Sequence, residues 1–189
     1  INFVQDPDSV LRSYLNAVIL GPAGVGKTTL ARHYGNFLHY LGVLTDGKFN
    51  EVVPSSLKGE YLGQTEQRTQ QVLNKNLESV IFLDEAYSLA SRGADGQFNQ
   101  FGVEAIHTIV PFLSQHKGEI CMIAAGYEDE MWESFLNKDI NSGTLRRFPL
   151  IITLREYTAT EMVELFERIL GGPTINMKLD PKISKKART

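Results

Sequence analysis

The stretch AVILGPAGVGKTTLAR, residues 17–32, constrains this chain more than any other. Four apolar residues run straight into glycines at 21, 24 and 26, and Lys27, Thr28 and Thr29 follow. The apolar run reads as a strand, and the amphipathic stretch over roughly 26–41 reads as a helix. Between them lies the pattern G-x-x-x-x-G-K-[ST], in the one setting where it carries meaning. Glycines let backbone N–H groups turn inward and cradle phosphate oxygens. The helix that follows directs its positive end at the same place. Gly21, Pro22, Ala23, Gly24, Val25, Gly26, Lys27, Thr28 and Thr29 are therefore the candidate nucleotide-binding set. Lys27 supplies a compact cation for the outer phosphates, and the Thr28 hydroxyl suits Mg²⁺.

The rest of the chain alternates short apolar runs with longer amphipathic stretches. That alternation predicts an α/β fold: a P-loop NTPase with a parallel sheet of about five strands and helices on both faces. Strands are expected at 17–20, 49–53, 79–83, 119–125 and 149–153, and helices near 65–77, 99–116 and 158–170. Pro111 falls inside the second of these helices and should kink or break it. Residues 88–98 read as a polar loop. Thr158 and Glu161 have capping-box spacing at the start of the last helix. A boundary is placed at 154, with 1–154 as the nucleotide-binding subdomain and 155–189 as the start of a small, truncated helical lid. The last residues, with Lys182, Lys185, Lys186 and Arg188, read as a solvated tail.

A second carboxylate-bearing motif completes the first. VIFLDEA, residues 80–86, is an apolar strand ending in Asp84 and Glu85. Open α/β sheets bind ligands at the carboxyl edge of their strands. Neighbouring residues on a strand point to opposite sides, so the two acids can take different tasks. Asp84 suits the Mg²⁺ shell together with Thr28. Glu85 suits polarising a water for attack on the γ-phosphate, with Lys27 beside the charge. A third element is Arg146-Arg147, before the fifth strand. A permanently charged fork of this kind stabilises charge spreading in phosphoryl transfer, although the same pair also reads as a solvated one.

Composition narrows the partners. The net charge of −3 argues against a protein whose main work is gripping nucleic acid. The one cysteine, Cys121, sits in an apolar run and reads as core, which excludes a disulfide framework. A reducing compartment follows, the cytoplasm or an organelle stroma. No apolar run approaches the ~20 residues that span a bilayer, and no signal peptide opens the chain. The first residue is Ile1, which fits a fragment or a processed piece, from which any targeting signals would be missing. His33, His39, His107 and His116 lack metal-ligand spacing.

Taken in order, GPAGVGKTTLAR, SSLKGEYLGQT, VIFLDEAYSL, FGVEAI and AAGYEDEM resemble the AAA+ ATPases of the CbbX/SpoVK type, over residues 14 to about 170. That group includes red-type Rubisco activases and EccA-type ATPase modules. The resemblance implies Mg²⁺-dependent hydrolysis of ATP to ADP at the subunit interfaces of a ring, a hexamer of like or related subunits. It implies remodelling or threading of a protein client through a central pore. It makes Arg147 the arginine donated to the neighbour's γ-phosphate, with Arg146 as second candidate. Tyr61, Leu62 and Gly63 match the aromatic–aliphatic–glycine pore loop. Gly126-Tyr127 occupies the place where many AAA+ proteins carry a polar sensor residue, so Tyr127 is the sensor 1 candidate. Two other functions fit the same ATP site: a nucleotide-gated assembly scaffold and a nucleic-acid motor or loader.

Overall fold

Three strands are buried along their whole length because their side chains alternate between two cores. In β1 (Ala17–Leu20), β3 (Val80–Leu83) and β4 (Cys121–Gly126) every residue is buried. Val18, Leu20, Ile81, Leu83, Met122 and Ala124 face one cluster. Ala17, Ile19, Val80, Phe82, Cys121, Ile123 and Ala125 face the other. A period of two with both sets apolar is what a parallel strand covered on both faces requires. β2 (Phe49–Val52) and β5 (Leu150–Thr153) are partly exposed, as edge strands are. The sheet order is β2-β3-β4-β1-β5, and every pairing is parallel.

This computed structural model describes residues 14–61 and 63–171. The chain divides into two units, Ile1–Leu154 and Arg155–Thr189. In the first unit, α1 (Lys27–Tyr40), α2 (Pro54–Leu57) and α3 (Gln64–Lys75) precede β3. A 3₁₀ turn (Ala86–Leu89) follows β3, and α4 (Gln100–Gln115) leads to β4. The short helices α5 (Glu128–Glu133) and α6 (Thr144–Arg147) precede β5. α1 approaches the sheet closely at Gly35, where a Cβ would lie 2.9 Å from Val80. In the second unit, α7 (Ala159–Gly171) is the one described helix. Gly172, Pro173 and the basic tail lie outside the described residues. Among the described residues no helix is long and apolar enough to cross a membrane.

One expectation is corrected. Pro111 neither breaks nor ends its helix: α4 runs from Gln100 to Gln115 with the proline inside. Pro111 and His107, whose carbonyl loses its N–H partner, both belong to exposed positions. Val110, Phe112 and Leu113 are buried beside it and hold the helix to the sheet. Tertiary packing there outweighs the ~3 kcal/mol that an interior proline costs.

Candidate active site

The three glycines of the 21–26 loop take φ values of 149°, 77° and 94°. Side chains rarely adopt these angles, and at Gly21 a Cβ would also lie 2.5 Å from the Leu154 carbonyl. The loop delivers the chain into α1 at Gly26, with no side-chain cap and no acid in the first turn. The first N–H groups of that helix are thus left for an outside acceptor. Lys27 Nζ reaches back to donate to the Gly21 and Pro22 carbonyls at 2.8 Å each.

Topology brings the second motif to the same place. β3 and β1 flank β4, so their carboxyl ends open onto one edge of the sheet. A cleft of about 330 Å³ lies there, lined by Ala23, Gly24, Gly26, Lys27, Thr28, Thr29, Asp84, Glu85 and Tyr127. The chemistry of this donor set fits a Mg²⁺–nucleotide: a hydroxyl and a carboxylate for a hard cation, a lysine and an uncapped helix end for phosphates. Tyr127 places its ring with Lys27 Nζ 5.2 Å from the centroid. A larger open groove, about 450 Å³, lies between α3 and α4 and is lined by Glu66, Gln70, Gln100, Val103, Glu104, His107 and Thr108. Its lining carries Glu66 and Glu104 and no lysine or arginine, so its size does not make it the better phosphate site.

Asp84 and Glu85 do not alternate as strand neighbours, because β3 ends at Leu83. Glu85 instead takes φ 53° and ψ 39°, a left-handed conformation at the start of the 3₁₀ turn. Asp84 Oδ1 accepts from the Glu85 N–H at 3.0 Å, and the Ser88 N–H returns to the Glu85 carbonyl at 2.9 Å. The Tyr87 hydroxyl donates to Glu85 Oε2. Tyr87 was assigned no role from the sequence. Its only signal there was its place two residues after the acid pair.

Arg146 and Arg147 do not line the cleft. They precede β5, so in a parallel sheet they sit at the amino edge, opposite the phosphate loop. Arg147 Nε donates to Ser114 Oγ at 2.9 Å, and Nη1 to the Gly143 carbonyl at 3.4 Å. Tyr14 joins this group: its hydrogen bond with Ser114, then the charges of Arg147 and Lys117, hold its phenol below the usual range. Arg146 is exposed and, among the described residues, has no ion-pair partner.

The 58–63 loop leaves Tyr61 66% exposed, so its ring is not folded into the core. Gly63 has φ 84° and opens α3. Thr65, buried, receives the Gly59 N–H at 3.0 Å and so closes the loop at its base. Leu62 lies outside the described residues.

The chain matches the family model described as "ATPase family associated with various cellular activities (AAA)" over residues 17–152. It is 38% identical over 156 residues to stage V sporulation protein K of Bacillus subtilis, covering 82% of this chain and 46% of that protein. It is 38% identical over 152 residues to the ESX-3 secretion system protein EccA3 of Mycolicibacterium smegmatis, covering 80% of this chain and 24% of the relative. With EccA2 of the Mycobacterium tuberculosis ESX-2 system the identity is 34% over 151 residues, with the same coverages of 80% and 24%. The chain thus spans less than half the length of these relatives. A solved chain from the HORMA:CdnC:Trip13 complex of E. coli MS115-1 shares the fold, with a TM-score of 0.65 at 16% identity, covering 96% of this chain and 60% of that one.

Proposed function

This chain belongs to the AAA family of ATPases, and from that premise we propose that it binds and hydrolyses ATP at the 21–29/84–85 cleft to drive work on a protein client. The observation that carries the reading is the convergence of Lys27, Thr28, Asp84 and Glu85 on one cleft from two separate strand ends. The glycine loop and the open end of α1 bind the phosphates. Lys27 exchanges its two carbonyl partners for phosphate oxygens. Thr28 and Asp84 would hold Mg²⁺, which neutralises charge on the phosphates when bound. Glu85 accepts a proton from the attacking water. Tyr127 lines the same cleft beside Lys27.

Arg147, or its neighbour Arg146, would complete the cleft of a second subunit in a ring. Their place at the opposite sheet edge supports action in trans, because neither faces the cleft of its own chain. Exposed Tyr61, with Leu62 and Gly63, would grip the client: a tyrosine offers a large amphipathic surface to any polypeptide. The relatives named for sporulation and secretion are compatible with several clients. α7 presents Met162, Leu165, Phe166 and Ile169 at helical spacing, all exposed, as the first helix of a lid would.

The test is Glu85→Gln in the intact protein. Nucleotide should stay bound while phosphate release falls by more than about 100-fold. Undiminished turnover in that variant would remove the reading.

A further inference from the structure

Glu85 and Tyr87 are two residues apart, a spacing that does not bring side chains together on a regular helix. The left-handed backbone at Glu85 changes this. It turns the carboxylate back over the 3₁₀ turn, onto the Tyr87 hydroxyl. A non-glycine residue persists in that conformation only where its surroundings over-determine it.

The tyrosine is itself held. Its ring lies against that of Tyr127, with centroids 5.9 Å apart at 37°. It also lies beside Gly126, the last residue of β4, where a Cβ would come within 2.8 Å of Tyr87 Cδ1. The glycine at this strand end therefore makes room for the ring. Glycine at 126 has this steric cause, with the Met131 side chain crowding the same position. A contiguous group results: Lys27 beside Tyr127, Tyr127 against Tyr87, and Tyr87 bound to Glu85.

We propose that Tyr87 is a positioning residue for Glu85. Its hydroxyl holds one carboxylate oxygen so that the other faces the attacking water. This rests on the ATPase reading above. A free glutamate side chain loses rotamer freedom when it is ordered. Here that ordering is done before the reaction by a half-buried ring packed against the core. Tyr87 acts through Glu85 and does not touch the nucleotide.

The experiment is steady-state ATP turnover and nucleotide affinity for Tyr87→Phe, Glu85→Asp and the double variant in the intact protein, beside Glu85→Gln. Phenylalanine keeps the ring on Gly126 and Tyr127 and removes the hydroxyl alone. The kcat of Tyr87→Phe should fall about 10-fold, with KM for ATP and affinity for ADP within about twofold of wild type. Aspartate draws the carboxylate back from the hydroxyl by one methylene, so adding Tyr87→Phe to Glu85→Asp should cost less than it does in wild type. A kcat within twofold of wild type, a loss that appears equally in ADP affinity, or a full additional loss in the double variant would each overturn the proposal. If Glu85→Gln itself keeps turning over, the ATPase reading has failed instead, and the two failures are distinguishable.

Discussion

The Lys58 ammonium donates to the Ser88 carbonyl at 2.9 Å, joining the base of the exposed 58–63 loop to the turn that carries Tyr87. Lys58 is partly withdrawn from water, and burial pushes its pKa down. An ammonium in that position needs an acceptor, and Ser88 supplies one. A contact between the candidate client loop and the turn next to Glu85 is a direct physical route between them. Lys58→Met keeps the aliphatic stem and removes the donor. Basal ATP turnover should stay within about twofold, while stimulation by an unfolded polypeptide such as casein should be lost. Stimulation equal to wild type would break the route.

Tyr61→Ala addresses the tip of the same loop. The ring is exposed, so its removal should leave the melting temperature within about 2 °C of wild type and basal turnover largely intact. Work on the client should vanish. Client remodelling that survives the change would reject the pore-loop assignment.

Arg147 is tied to Ser114 and Gly143 within its own chain, whereas Arg146 is exposed. If Arg147 serves the neighbour's site, Arg147→Ala should cut turnover by about 10³-fold with nucleotide still bound. Mixing Arg147→Ala subunits with Glu85→Gln subunits should then restore part of the activity, since each lacks a different half of a shared site. Loss in Arg146→Ala alone would transfer the role to Arg146.

Gly102, in the first turn of α4, packs on the turn after β3: a Cβ there would lie 1.6 Å from the Leu89 carbonyl oxygen. Backbone cannot yield as a flexible side chain does. Gly102→Ala should therefore destabilise the chain by about 3 kcal/mol or more in urea unfolding. A change under about 1 kcal/mol would show that α4 can slide on the turn.

Glu161 gives α7 a pH dependence. It accepts from both Arg155 Nη groups at 2.8 and 2.7 Å, and from Thr158 N and Oγ1 at 2.9 and 3.0 Å. The Arg155 hydrogen bonds, then those of Thr158, hold its carboxyl down at about 2. A depressed carboxyl contributes stability that is present above its unfolded value, near 4.5, and lost as pH falls through about 2. Hydrogen exchange across 159–171 should accordingly lose protection between about pH 4.5 and 2, beyond the intrinsic change in rate. Glu161→Gln should flatten that dependence, and an unchanged profile would remove the cap from the account.

Local pattern made much of this protein readable from sequence. The three central strands declared themselves because each is apolar on both faces, and the strand–glycine loop–helix at 17–40 carries its own backbone chemistry. The Thr158–Glu161 cap has the reciprocal bonds its spacing predicts, with the Glu161 N–H 3.3 Å from Thr158 Oγ1. The exposure of Tyr61 was not legible, since an aromatic beside two glycines packs inward as readily as outward until its surroundings are known.

Pro111 shows the limit in the other direction: intrinsic propensity argued for a break, and buried neighbours on both sides overrode it. Sequence by itself determined the strands, the four longer helices and the phosphate-binding loop, because periodicity and glycine freedom are properties of short segments. Tertiary structure alone decided that β4 lies between β1 and β3, that Gly126 leaves space for Tyr87, and that Lys58 reaches Ser88. Those relations join residues far apart in the chain, and only close packing selects which of the many compatible pairings is made.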